Sequence, residues 1–163
     1  MRITSCIAAW AIVGAASISV HGQALTRRDM SLQIARTIAD ASMAACQKTG
    51  TNVTAAVVDR AGQIVLIHRH DAANPHNAEL ARRKAYTART FGVPTLQFRD
   101  NSAGTSEFAG QRQLTDIIAL GGGVPIRVGN DLIGAVGLSG SPNQADDERC
   151  ALEGIKAASG LLK

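Results

Sequence analysis

Between Thr115 and Gly140 the chain alternates short apolar runs with glycine-bearing turns. Thr115 to Leu120, Val124 to Val128 and Leu132 to Leu138 read as strands, with Gly121-Gly122-Gly123 and Gly129-Asn130-Asp131 between them. Connections this short join antiparallel neighbours, because parallel strands need a crossover of a dozen or more residues. Upstream, Asn52 to Val58 and Gln63 to Arg69 flank the turn Asp59-Arg60-Ala61-Gly62 and read as another hairpin. A mainly antiparallel five-stranded sheet is the expected centre of the fold.

Helical periodicity brackets these strands. Met30, Ile34, Ile38, Ala41 and Ala45 recur at three- or four-residue spacing, giving one apolar face of a helix that runs to about Lys48. Thr26 and Asp29 match a capping box at its start, and Gly50 supplies the stop. Asn77 to Thr90 reads as a second helix. Ser141-Pro142 opens a third, with an inner face of Ala151, Gly154 or Ile155, Ala158 and Leu162. Phe91 to Gln113 is the least regular stretch and holds a short helical turn near Thr95 to Phe98. The order of helix, two strands, helix, three strands, helix defines an α/β chain of the α+β kind, with helices packed on an antiparallel sheet.

The first 24 residues differ from the rest. Arg2 precedes an uncharged run from Ile7 to Val20, and the small residues Gly22 and Ala24 follow. This is the order of a secretory signal peptide, cleaved after Gly22 or Ala24. Fourteen residues are too few to cross a bilayer core, which needs about 20. The mature part, residues 25–163, is one domain of periplasmic or secreted destination with no further run of membrane length. Without Arg2 it carries 16 basic against 13 acidic residues, a net charge near +3. So weak an excess, with few aromatics, argues against a nucleic-acid partner and leaves room for an anionic small ligand.

Processing leaves Cys46 and Cys150. Both fall on expected helices. In an oxidising compartment they are either a disulfide or two buried thiols, and spacing alone does not choose.

His68, His70 and His76 are the sharpest candidates for chemistry. Residues two apart on a strand share a face, so His68 and His70 can converge on one ligand, with His76 close behind. Three imidazoles in nine residues suit a metal ion or an axial bond to haem iron, or are solvated histidines at a strand end. The basic trio Arg82, Arg83 and Lys84 is either a solvated helix face or a set of partners for haem propionates. The glycine triplet is not followed by Lys-Ser or Lys-Thr and precedes a strand, which excludes a P-loop. Gly137-Leu138-Ser139-Gly140 falls one residue short of a nucleophile elbow, and no catalytic residue is assigned. Asp146, Asp147 and Glu148 are explained by attraction to a helix N-terminus.

Several stretches together resemble the GlcG/HbpS family. They are Val57-Val58-Asp59 with Gly62, Arg69-His70-Asp71-Ala72-Ala73, the run Lys84-Ala85-Tyr86-Thr87-Ala88, Gly121 to Ile126, and Gly134 to Gly140. Ala72 stands where the family usually has glycine. The resemblance implies a profilin-like fold, homo-oligomers and, for some members, binding or slow breakdown of haem. A haem-binding exported protein is therefore one expectation, with iron held by His70, His68 or His76. An oligomeric interaction module without a cofactor is the alternative. A metal enzyme built on the three histidines lacks a further donor.

Overall fold

A computed structural model describes residues 25–163. The leader expected over residues 1–24 lies outside the described residues. Helix α1 spans Leu32–Gln47, and strands β1 Thr54–Asp59 and β2 Ile64–Arg69 follow. Next come α2 Asn77–Phe91, α3 Thr95–Asn101 and a 3-10 turn at Ala109–Gln113. Strands β3 Gly123–Val128 and β4 Asp131–Ser139 and helix α4 Gln144–Ala157 complete the order. No helix among the described residues is long and apolar enough to cross a membrane.

Four strands, not five, form the sheet, in the order β2-β1-β4-β3 with every pairing antiparallel. The segment expected as a fifth strand, Thr115 to Leu120, pairs with no strand. Side chains of α2 take its backbone groups instead: Thr87 Oγ1 accepts the Ile118 N–H at 2.9 Å, and Arg83 Nη2 donates to the Ile117 carbonyl at 2.8 Å. Backbone polar groups need partners, and a helix surface has satisfied these as a sheet would have done.

Register places alternate residues on opposite faces. Ala55, Val57, Val136 and Leu138 face α1 and α4 and join Ile38, Cys46 and Ala151 in the main core. Each fully buried side chain such as Ile38 or Leu138 contributes roughly 1.5–3 kcal/mol. Val58 and Ala135 face α2, where they meet Ala85 and Ala88. That side is close-packed because its residues are small. A Cβ on Gly137 would lie 2.5 Å from the Ala85 amide nitrogen and collide with the Ala81 carbonyl, so α2 rests directly on β4.

Helix ends depart from expectation in two places. Ser31 caps α1 by accepting the Ile34 N–H at 3.3 Å, not Thr26. Asp29, the intended capping partner, accepts the Met30 and Arg60 N–H groups and ties the N-terminal segment to the β1–β2 turn. Asn143, not Ser141, caps α4 through the Ala145 N–H. Cys46 and Cys150 form a disulfide with Cα atoms 5.5 Å apart, joining α1 to α4.

Candidate functional site

The three histidines do not converge. His68, on β2 opposite Ala55, is held at Nδ1 by Asp40 Oδ1 of α1 at 2.9 Å. His70 lies just past β2, where its Nδ1 accepts the Ala72 N–H at 3.1 Å. His76 stands exposed at the N-cap position of α2 and makes no capping bond. Among the described residues no group of three or more His, Cys, Asp or Glu side chains can hold a metal ion.

The basic trio is also divided among separate partners. Arg82 pairs with Asp116 at 2.7 Å. Arg83 serves the Ile117 carbonyl and lies 3.7 Å from Glu79. Lys84 is no surface cation: it is 3% exposed, and its Nζ donates to Asp147 Oδ2 at 2.9 Å and to the Leu138 carbonyl at 2.8 Å. Burial lowers the Lys84 pKa, and the adjacent Asp147 carboxylate opposes that shift without cancelling it. Asp147 in turn accepts the Ser141 N–H at 3.0 Å through its other oxygen. It is thus a buried tie between α4, α2 and the end of β4, where the sequence suggested only a charge at a helix start.

Two of the glycine triplet's N–H groups are claimed by side chains: Gln144 Oε1 takes that of Gly121, and Thr95 Oγ1 that of Gly123. Side chains have no room here: a Cβ on Gly122 would sit 2.8 Å from that of Asp147 and 3.0 Å from Lys84 Nζ. These glycines admit helices, not phosphate.

This network forms one wall of an open trough. Its larger part, about 320 Å³, is lined by His76, Asn77 and Leu80 of α2, by Leu120, by Ser139 to Pro142, and by Lys84 and Asp147 below. A second concavity of about 260 Å³ adjoins it, sharing Asn74, Asn77, Gly140 and Pro142 and reaching Gly50 to Asn52 after α1. Gly140 shapes the join. At φ +150° its missing side chain lets the chain pass Val53 closely. Sequence reasoning missed Asn77, Ser139 and Asp147 in this setting. The helical spacing of Asp147 with Cys150, Ala151 and Gly154 marks Asp147 as inward-facing.

The fold and trough define a class: an α+β domain whose antiparallel sheet carries helices on both faces and a concave site where α2, β4 and α4 meet. Residues 30–156 match the family model described as haem degrading protein HbpS-like, and the chain belongs to that family. Protein GlcG of Escherichia coli K12 is 33% identical over 115 residues, covering 70% of this chain and 84% of GlcG. A double mutant of Streptomyces reticuli HbpS superposes with TM-score 0.78 at 30% identity, covering 88% of this chain and 97% of that one. PduOC, solved as a haem complex, shares the fold with TM-score 0.74 at 24% identity, covering 80% of this chain and 95% of that one.

Proposed function

We propose that this protein binds haem in the trough, with His76 as the iron ligand. The observation that carries the reading is the state of His76. Of the three candidate histidines it alone makes no hydrogen bond from its ring among the described residues, and it stands at the mouth of a concavity with Leu80, Leu120 and Pro142 in its walls. Cavities of a few hundred Å³ with apolar walls and a few polar groups suit such ligands. Burial of the flat macrocycle supplies most of the affinity, and the imidazole fixes orientation. His70 is less suited, because an Nδ1 that accepts the Ala72 N–H places the neutral ring's proton on Nε2. Membership of the HbpS-like family supports the reading. When bound, haem supplies an iron centre with its redox chemistry. The chain's own residues hold it and limit its contact with water.

One observation favours a second seat. Asp40 holds His68 Nδ1, the arrangement that orients a histidine and leaves Nε2 for a metal. Haemin titration decides between them. The expected result is a saturable, shifted Soret band that His76→Ala abolishes and His68→Ala leaves. Loss with His68→Ala alone moves the site, and a spectrum equal to free haemin ends the proposal. We also propose that the chain is exported and self-associates, which the N-terminal sequence and mass of the secreted protein test.

A further inference from the structure

Three arginines line one hollow at the end of the sheet away from the trough. Strand β4 runs from Asp131 to Ser139, and Ser139 borders the trough. Asp131, at the other end, shares a concavity of about 500 Å³ with Thr26, Arg27, Arg28 and Arg60. The N-terminal segment, the β1–β2 turn and the β3–β4 turn meet there, and no residue is common to this hollow and the trough.

Arg60 is fixed in place. Its backbone N–H donates to Asp29 Oδ1 at 2.9 Å, its Nε to the Arg28 carbonyl at 2.9 Å and its Nη2 to Asp131 Oδ1 at 3.2 Å. Nη1 keeps both protons without an acceptor among the described residues. Arg27 and Arg28 are exposed, and neither guanidinium meets a carboxylate among the described residues. The nearby acids have other duties. Asp131 holds Arg60, Asp29 accepts the Met30 and Arg60 N–H groups, and Asp59 closes its own turn onto those of Ala61 and Gln63.

Three cations therefore face the hollow against one carboxylate, and that carboxylate is already engaged. Like charges held together repel, and an anion between them relieves the repulsion. The planar fork of a guanidinium, with paired N–H donors, matches the oxygens of a phosphate group.

We infer that Arg27, Arg28 and Arg60 form a phosphate-binding site at this end of the sheet. Two sources carry this chemistry: a free phosphate or phosphate monoester, and the headgroup of an anionic phospholipid. The site stands whether or not the trough takes haem.

The test uses the whole mature protein labelled with nitrogen-15, following the Nε–H signals of the three arginines. Sodium phosphate is added at constant ionic strength made up with sodium chloride, because general screening acts on every exposed charge. In parallel, the protein is sedimented with vesicles of phosphatidylcholine alone or mixed with phosphatidylglycerol. Arg27→Gln with Arg28→Gln removes two cations from the hollow. Arg36→Gln with Lys163→Gln removes two exposed cations elsewhere and serves as control. Saturable shifts with phosphate, weakened roughly tenfold or more in the first double variant and kept in the second, assign free phosphate. Sedimentation with phosphatidylglycerol vesicles alone, lost in the first variant and kept in the second, without shifts under phosphate, assigns the headgroup. Equal loss in both double variants makes net charge the cause and overturns the site. Still signals with phosphate and no sedimentation overturn it as well.

Discussion

Lys84 of α2 and Asp147 of α4 meet 2.9 Å apart with side chains 4% and 2% exposed, so two helices on different faces of the sheet are joined around its end by one buried ion pair. Taking two charges from water is expensive, and here further bonds to the Leu138 carbonyl and the Ser141 N–H offset that cost.

Removing either partner strands the other. Asp147→Ala or Lys84→Ala lowers unfolding free energy by about 3–5 kcal/mol, whereas Lys84→Met with Asp147→Leu recovers most of the loss. Urea denaturation of the four chains checks this. A double variant no better than the singles shows that the pair is worth more than apolar packing at this point.

The disulfide spans 104 residues of chain. On the chain-entropy account its removal costs about 4–5 kcal/mol. Cys46→Ser with Cys150→Ser should show this as a lower midpoint in guanidinium, and an unchanged midpoint refutes it.

Gly137 lets α2 touch β4. Gly137→Ala forces a methyl group against the Ala85 amide nitrogen and the Ala81 carbonyl, at a cost of about 1–3 kcal/mol or more. Gly110→Ala, with open space around it and no left-handed φ, changes little. Thermal melts of the two variants side by side measure the contrast.

Burial raises the Glu148 carboxyl above its ordinary value of 4.5, outweighing the N–H groups of Leu96 and Gly122 and the charge of Arg99. The folded state then holds this proton more tightly than the unfolded chain. Its stabilising effect is full below 4.5 and is lost as pH rises through the raised value. Glu148→Gln keeps an acceptor for Leu96 and should therefore melt higher at pH 7, with the gain vanishing near pH 4. Calorimetry across that range reads the sign directly.

Most of the fold was legible from periodicity. The β1–β2 hairpin, the β3–β4 pair and three long helices lie where alternation and three- or four-residue spacing put them. The missing strand was illegible because Thr115 to Leu120 carries strand-like residues whose partners are α2 side chains distant in sequence. Lys84 was misread within a basic trio, yet it falls on the face of Ala81, Ala85 and Ala88, all fully buried. A charge on an apolar helical face signals a buried partner, and Asp147 at the same kind of position on α4 was its counterpart. The histidines were visible as residues but not as neighbours, since Asp40 and the Ala72 backbone each draw one aside.

The bridge between α1 and α4 has a consequence for wear. With Cys46 bonded to Cys150, the polypeptide between them is a closed ring holding every strand of the sheet and the intervening helices α2 and α3. A single protease cut in the irregular stretch after α3 opens the ring without parting the molecule. Such a nicked chain migrates as two fragments only after reduction, and until then keeps its halves at each other's disposal for reassembly.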